Sequence, residues 1–230
     1  MRRNETTVIC IGDSITEGIG SSDSATRSYP AVLGQMLGKE YSVINCGRNG
    51  ATLMDPPWPK EDSFKGLPHY RRALQAAREA EGRRIVCVML GTNDADVIDY
   101  GFEGRGDAYL EAYGAIFLAE MEHIVNDFLA IDPETRFVLC LSPYSYDGEK
   151  HRDLGNLPAV WQLQERFAHA CQMRGVTCVV NDMRQATAPG AIGGEAGVAR
   201  LYRDRLHPND EGHAYFATCF YKAIKRVEER

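Results

Sequence analysis

Residues 8–18 read Val-Ile-Cys-Ile-Gly-Asp-Ser-Ile-Thr-Glu-Gly, in which four apolar residues end abruptly at a glycine. A short apolar run that stops at a turn signal is typical of a buried strand in a parallel sheet. Gly12 lets the backbone turn where a Cβ atom would clash, and Asp13 and Ser14 follow where a helix would begin. Ligands of α/β proteins bind at the carboxyl ends of the strands, so Ser14 is predicted to lie at such a site. The N–H groups of a helix start also favour a developing negative charge.

The same stretch excludes several familiar phosphate-binding and nucleophile motifs. It is not the Gly-x-Ser-x-Gly elbow of the α/β-hydrolases, because Thr16 stands where the second glycine belongs. The spacings of a Walker loop and of Gly-x-Gly-x-x-Gly are absent. Gly-Asp-Ser alone also fits a capped helix start without chemistry, so a function for Ser14 depends on residues further along the chain.

Length, composition and charge predict one globular domain over residues 1–230. Hydrophobic residues make up 44% and charged residues 25%, which is ordinary for a soluble protein with a full core. The net charge of -6 argues against a nucleic-acid partner, and no apolar run approaches the roughly 20 residues of a membrane span. The chain begins without a signal peptide, so a cytoplasmic location is expected.

The seven cysteines predict buried thiols and not a framework of cross-links. Their number is odd, and no Cys-x-x-Cys pair occurs, so neither a disulfide scaffold nor a zinc site is expected. Most of them lie in or beside apolar, strand-like runs. Free thiols in a reducing compartment are the expectation.

Short apolar runs alternate with longer amphipathic stretches along the chain. The predicted strands are 7–11, 42–46, 84–90, 136–142 and 176–180. The predicted helices are about 28–38, 67–81, 107–131, 157–174 and 209–229. Because strand and helix alternate five times, the pattern predicts an α/β fold in which a parallel sheet has helices on both faces.

Polar residues follow the carboxyl ends of the predicted strands. Gly50 lies in a loop with two glycines and two asparagines after the second strand, and Asn93 follows the third. A long segment after the fifth strand leads to His207. Since the carboxyl ends of parallel strands share one edge, these residues are expected to converge on Ser14.

A serine hydroxyl becomes an effective nucleophile when a base removes its proton, and that base is usually a histidine held by an acceptor. Asp204 stands three residues before His207, a spacing that can turn the carboxylate onto the same imidazole. The remaining histidines are poorer candidates, because they fall within predicted helices or in a charged loop: His69, His123, His151, His169 and His213. An isolated Asp-x-x-His would more commonly be a surface feature near a helix start.

A tetrahedral intermediate needs hydrogen-bond donors for its oxyanion. The N–H groups of Ser14 and Gly50 and the side-chain amide of Asn93 are the candidates. Taken singly, Gly50 is equally well explained as a turn glycine with positive φ, and Asn93 as an Asx-turn residue. Their joint placement favours the functional interpretation.

Four motifs in this chain resemble the four motif blocks of the SGNH (GDSL-type) hydrolases. They are Gly-Asp-Ser-Ile-Thr-Glu-Gly, Asn-x-Gly-x-x-Gly-Ala-Thr, Gly-Thr-Asn-Asp and Asp-Arg-Leu-His-Pro, in the family's order over positions 12–208. The resemblance implies a three-layer α/β/α flavodoxin-like sandwich with a five-stranded parallel sheet, and serine esterase chemistry without a cofactor. It assigns Ser14 as nucleophile, His207 as base, Asp204 as its orienting carboxylate, and Ser14, Gly50 and Asn93 as the oxyanion hole.

Two other interpretations compete with this one. Asp94, Asp96 and Asp99 form an acidic cluster, but the spacing fails the Ca²⁺-loop pattern, so solvated loop carboxylates are expected and no metal site is predicted. A flavodoxin-like domain that binds an anion at the Ser14 helix start without turnover is the non-enzymatic alternative. It leaves the Asp204 and His207 pair unexplained.

The loops expected around Ser14 favour a polar substrate. Segments 94–108 and 144–156 combine carboxylates with aromatic rings, and 186–203 is rich in glycine and alanine. None resembles an apolar lid for a fatty chain, and rings beside polar groups suit a hydroxyl-rich alcohol. We therefore expect a small-molecule ester substrate, an acetylated carbohydrate or similar polar molecule. The alternative within the family is a lysophospholipase or acyl-thioesterase.

Overall fold

A computed structural model describes residues 5–55, 63–95, 97, 107–146 and 157–230. Its centre is one parallel sheet of five strands in the order β2-β1-β3-β4-β5. The strands are β1 (Thr6–Gly12), β2 (Tyr41–Gly47), β3 (Arg83–Met89), β4 (Arg136–Leu141) and β5 (Cys178–Asp182). All residues of β1 are buried, as expected for a continuous apolar strand covered on both faces.

Helices cover both faces of the sheet and make the three layers that the sequence predicts. Helices α1 (Ser14–Glu17), α2 (Ser24–Arg27) and α3 (Tyr29–Leu37) precede β2, and α4 (Pro68–Glu79) precedes β3. Then come α5 (Asp107–Ile131), α6 (Leu157–Met173), α7 (Met183–Ala186), α8 (Pro189–Ile192), α9 (Gly194–Leu201) and α10 (Asp210–Glu228). One core packs α4, α5 and α6 on one face, and a second packs α3 and α10 on the other.

The register of the central strands sets the level at which the chain leaves the sheet. Gly12, the last residue of β1, is paired with Gly47 of β2 and with Met89 of β3. The segments that follow these three strands therefore begin at the same height on one edge. This places the connection of Ser14 beside those of Gly50 and Asn93.

The chain departs from the sequence expectations mainly after β5. The glycine- and alanine-rich stretch at 186–203 is largely helical and contains α8 and α9. It has a small apolar cluster of its own around Val198, Leu201 and Tyr202. Parts of the predicted polar segments 94–108 and 144–156, namely residues 96, 98–106 and 147–156, lie outside the described residues. Within the described part of the chain, no helix has both the length and the apolarity needed to cross a membrane.

Candidate active site

Ser14 begins a helix of a single turn at the carboxyl end of β1. The Asp13 side chain caps this turn by accepting a hydrogen bond from the N–H of Ile15 at 3.0 Å, and Gly18 ends it in the left-handed region with φ 108°. A Cβ at Gly12 would lie 2.7 Å from the carbonyl oxygen of Met89, so glycine is required at this strand end. Because α1 has only one turn, its local N–H groups contribute more than a helix dipole to the stabilisation of a negative charge beside Ser14.

The structure brings Ser14 into contact with His207 across 193 residues of sequence. The Oγ atom of Ser14 lies 3.0 Å from Nε2 of His207. The other ring nitrogen, Nδ1, lies 2.8 Å from Oδ2 of Asp204. In the neutral ring, Nδ1–H donates to the carboxylate, which leaves Nε2 to accept the serine O–H.

A tight turn holds Asp204 against the histidine that follows it. Oδ1 of Asp204 accepts hydrogen bonds from the N–H groups of Leu206 at 3.2 Å and of His207 at 2.7 Å. Partial burial works against ionisation, but the hydrogen bonds from the ring and N–H of His207 outweigh it and lower the pKa of Asp204. The carboxylate is therefore ionised when the ring carries its proton on Nδ1.

Gly20 packs directly against the same histidine. Its φ is 96°, and a Cβ built there would lie 3.0 Å from the Cβ of His207 and would overlap the carbonyl oxygen of Pro208. A glycine therefore serves both the backbone conformation and the close approach at this position. Sequence reasoning missed Gly20, because its role depends on a contact that only the fold creates.

The loop that carries Gly50 is hydrogen-bonded to the segments at the carboxyl ends of β1 and β3. The N–H of Arg48 donates to the carbonyl oxygen of Gly12 at 3.0 Å, and Nδ2 of Asn93 donates to that of Ala51 at 2.9 Å. Gly50 itself adopts φ 74°. Among the described residues, the N–H groups of Ser14 and Gly50 donate to no partner, and the Asn93 amide keeps a second N–H. The three sequence candidates for an oxyanion hole thus belong to segments joined by direct hydrogen bonds.

Two carboxylates near Ser14 and this loop, Asp13 and Asp94, are buried. Burial raises the pKa of Asp94 to about 7, and the nearby charge of Asp13 adds to the shift. The expectation that Asp94 is a solvated loop carboxylate is wrong: it is fully buried, and its oxygens accept from the N–H groups of Leu53 and Met54 at 3.0–3.1 Å. Burial also raises the pKa of Asp13 to about 6.

The remaining polar candidates do not join the site. His213 is fully buried; its Nδ1 accepts from the N–H of Tyr29 and its Nε2 donates to the carbonyl oxygen of Ile19, both at 3.2 Å. Both ring nitrogens are thus in use, and burial lowers the pKa of His213. Asp96 and Asp99 lie outside the described residues, and among those that are described no group of three potential metal ligands is close enough to hold an ion. The seven cysteines are free, and six of them are buried.

An aromatic group lies beside the turn of residues 204–207, which is termed the catalytic turn for its proposed role. The rings of Tyr144 and Tyr146 stack at 5.9 Å between centroids, and Tyr144 also meets Trp161 at 5.1 Å. Tyr146 contacts Tyr202 edge-on at 5.5 Å. The N–H of Tyr146 donates to the carbonyl oxygen of Arg205, so the group is attached to the turn that carries His207.

A parallel α/β/α sheet with a serine, a histidine and an aspartate in hydrogen-bond contact at its carboxyl edge is the arrangement of a serine hydrolase. The family model described as GDSL-like lipase/acylhydrolase matches residues 10–215. The chain belongs to that family.

Similar proteins include esterases of several kinds. An acetylxylan esterase from Xylanibacter ruminicola is 34% identical over 105 residues, which are 44% of this chain and 20% of that protein. The chain thus matches about one fifth of the length of this curated relative.

Two solved structures share the fold. A family two carbohydrate esterase from Clostridium thermocellum aligns with a TM-score of 0.67 and 16% identity, over 97% of this chain and 64% of that one. An aryl esterase from M. smegmatis aligns with a TM-score of 0.64 and 17% identity, over 96% and 99%.

Proposed function

We propose that this protein is a serine esterase that hydrolyses short-chain acyl esters, chiefly acetyl esters, of a small polar or carbohydrate alcohol through an acyl-enzyme. The observation that carries the proposal is the hydrogen-bonded series from Ser14 Oγ through His207 to Asp204, with contacts of 3.0 and 2.8 Å. A base within hydrogen-bond reach of the serine, itself oriented by a carboxylate, is what nucleophilic catalysis needs.

The first half of the proposed reaction acylates Ser14. Nε2 of His207 takes the hydroxyl proton while Oγ forms a bond to the ester carbonyl carbon, and the carbonyl electron pair moves onto the oxygen. When that oxyanion collapses, the C–O bond to the alcohol breaks. The imidazolium gives its proton to the leaving alkoxide, so the alcohol departs neutral and the acyl group stays on Ser14.

The second half returns the enzyme to its starting state. A water molecule gives its proton to Nε2 of His207 as its oxygen attacks the acyl carbon. Collapse of this second oxyanion breaks the bond to Ser14 Oγ, which recovers the proton from the imidazolium. Asp204 remains ionised throughout and stabilises the positive ring in both halves. In each half, the N–H groups of Ser14 and Gly50 and the free N–H of Asn93 are the proposed oxyanion donors.

The substrate class rests on the surroundings of the site and on its relatives. The tyrosines attached to the catalytic turn, Tyr144 and Tyr146, are only partly buried. Aromatic faces suit the apolar faces of a sugar ring. The acetylxylan esterase and the carbohydrate esterase are named for the same chemistry.

Replacement of the nucleophile tests the mechanism. Ser14→Ala is expected to retain the fold and to lose ester hydrolysis by about 10³-fold or more, as loss of a triad member does elsewhere. Ser42→Ala, at an exposed position in β2, is the matched control. An active-site phosphonate should label Ser14 in the wild type. Label on another residue, or near-normal turnover by Ser14→Ala, would contradict the assignment.

A p-nitrophenyl ester series from acetate to decanoate tests the acyl preference. A maximum of kcat/KM at two to four carbons supports the proposal, and a maximum at eight or more favours a lipid substrate. Acetylated xylo-oligosaccharides, with release of acetate as the readout, then test the alcohol side. Hydrolysis of p-nitrophenyl acetate without any acetate release from the oligosaccharides would count against a carbohydrate substrate.

A further inference from the structure

Arg205 occupies an unfavourable backbone conformation inside the catalytic turn. It lies between Asp204 and His207 with φ 70°, and among the described residues it is the one non-glycine with a positive φ. Glycine adopts this conformation without the steric penalty of a Cβ atom. An arginine here points to a role for its side chain, since strained residues are retained where the surrounding contacts require them.

The side chain of Arg205 ties the turn to two separate parts of the fold. Its guanidinium forms a two-pronged ion pair with Glu195 of α9, in which Nη1 and Nη2 lie 2.9 and 3.0 Å from the two carboxylate oxygens. Its Nε donates to the carbonyl oxygen of Tyr146 at 2.8 Å. The N–H of Tyr146 in turn donates to the carbonyl oxygen of Arg205 at 2.9 Å.

Tyr146, the partner of Arg205 in the segment after β4, is itself held in place by several contacts. The hydroxyl of Tyr146 donates to the carbonyl oxygen of Thr187, and its ring packs against Tyr144 and Tyr202. Tyr202 is almost fully buried in the small cluster formed with α8 and α9. Arg205 therefore connects the catalytic turn to a packed cluster and not to a loose loop.

We infer that Arg205 is a positioning residue, which holds the Asp204–His207 turn in its catalytic geometry through Glu195 and the Tyr146 main chain. The inference rests on the proposed esterase function. The ion pair is exposed, with side-chain exposures of 47% for Arg205 and 76% for Glu195, so its charge attraction is screened by water. Its effect is directional, because a planar guanidinium that makes three oriented hydrogen bonds fixes where the backbone of the turn can lie.

Kinetics of four variants test this inference against a matched ion pair. Arg205→Ala and Arg205→Gly are expected to lower kcat by about 5- to 20-fold with little change in KM, within the range that a small misplacement of a catalytic group costs. Glu195→Gln keeps the shape of the partner and should lower kcat by a few-fold. The control is Glu211→Gln, which breaks the exposed ion pair between Glu211 and Arg200. Arg200 also lies on α9, but this pair is separate from that of Arg205 and Glu195, so the variant should keep normal kcat.

The two Arg205 variants separate positioning from stability. Alanine at φ 70° remains strained, whereas glycine does not, so Arg205→Gly should have the higher Tm of the two. A merely structural role predicts that activity follows Tm. Positioning predicts that both variants lose kcat alike.

A spectroscopic readout reports on the turn without substrate. The low-field proton NMR signal of an imidazole N–H bonded to a carboxylate should broaden or disappear in both Arg205 variants and persist in Glu211→Gln. Normal kcat and an unchanged signal in both Arg205 variants would overturn the inference. If Ser14→Ala is fully active, the proposed function fails instead, whatever the Arg205 variants do.

Discussion

The carboxylate of Asp94 lies 3.0 Å from the backbone nitrogen of Leu53, and both of its oxygens share that N–H. The two residues are 41 positions apart in sequence. Through this contact the carboxyl end of β3 holds the far side of the loop that carries Gly50. The neighbouring side chain, Asn93, holds the carbonyl oxygen of Ala51 in the same loop.

The raised pKa of Asp94 predicts a specific pH dependence of stability. The unfolded carboxyl loses its proton near pH 3.8, but burial raises the folded-state pKa to about 7. Between these values the folded state binds the extra proton, so the free energy of unfolding falls as the pH rises. Asp94→Asn should reduce that fall by up to about 1.4 kcal/mol per pH unit, which is the change in the free energy of unfolding for one bound proton.

Urea unfolding of the wild type and Asp94→Asn from pH 4 to pH 7 measures this effect as the difference between the two slopes. The difference removes the contribution of His213, whose lowered pKa acts in the opposite direction. Asp13, whose raised pKa acts in the same direction, is coupled to Asp94 by charge, so its response to Asp94→Asn is part of the measured difference. Glu81→Gln, at an exposed position, is the control. Identical slopes for wild type and Asp94→Asn would show that Asp94 ionises alike in both states.

Asn93→Ala tests whether the amide serves the transition state. Its free N–H is proposed to meet an oxygen that gains charge only during reaction. We expect kcat to fall by on the order of 10²–10³ with little change in KM, as removal of an oxyanion donor does in another hydrolase. Since Asn93 also holds Ala51, an unchanged Tm is needed to show that the loop is intact. A large rise in KM at normal kcat would make Asn93 a substrate-binding residue.

Gly20→Ala should impair catalysis through steric displacement of His207. The new Cβ would lie 3.0 Å from that of His207, and an alanine at φ 96° is strained. Gly38→Ala is the matched control, because Gly38 has φ 82° but a Cβ added there would meet no atom within 4 Å. Both variants are expected to lose about 1 kcal/mol or more of stability from the backbone alone, but only Gly20→Ala should lose turnover. Equal kcat in the two variants would exclude the displacement.

Chelation should leave the activity unchanged. In the proposed mechanism His207 activates the serine, and no step uses a metal ion. Assays of p-nitrophenyl acetate hydrolysis before and after prolonged EDTA treatment measure this. Activity that is lost on chelation and restored by a divalent cation would contradict this prediction and favour metal binding by the acidic cluster Asp94, Asp96 and Asp99.

Much of the fold could be read from local patterns. Every predicted strand and helix exists, and most boundaries agree within two residues, because fully buried parallel strands leave continuous apolar runs such as 7–11. The five-stranded parallel sheet and its three layers are confirmed. The short helices α2, α7, α8 and α9 are not predicted, because helices of one or two turns lack the periodicity of a long amphipathic helix.

The candidate site divides in the same way. Ser14, Asp204 and His207 stand in recognisable motifs, and the structure brings them into contact; their catalytic roles stay predictions. Gly20 and Arg205 carry no local signal, because their importance comes from close approaches between distant segments. The burial of Asp94 is not predicted for the same reason: its hydrogen-bond partners, Leu53 and Met54, are distant in the sequence.

The separation of 193 residues between Ser14 and His207 also has a consequence during synthesis. Ribosomes add about 5–20 residues per second, so the proposed nucleophile leaves the ribosome roughly 10–40 seconds before its base. The half-made chain can pair β1 with β2 and β3, but its serine has no proton acceptor. On the proposed mechanism, hydrolysis therefore requires that α10 dock beside α3, which brings the turn before it to Ser14. A chain that ends before His207 would contain the proposed nucleophile but lack its proposed base.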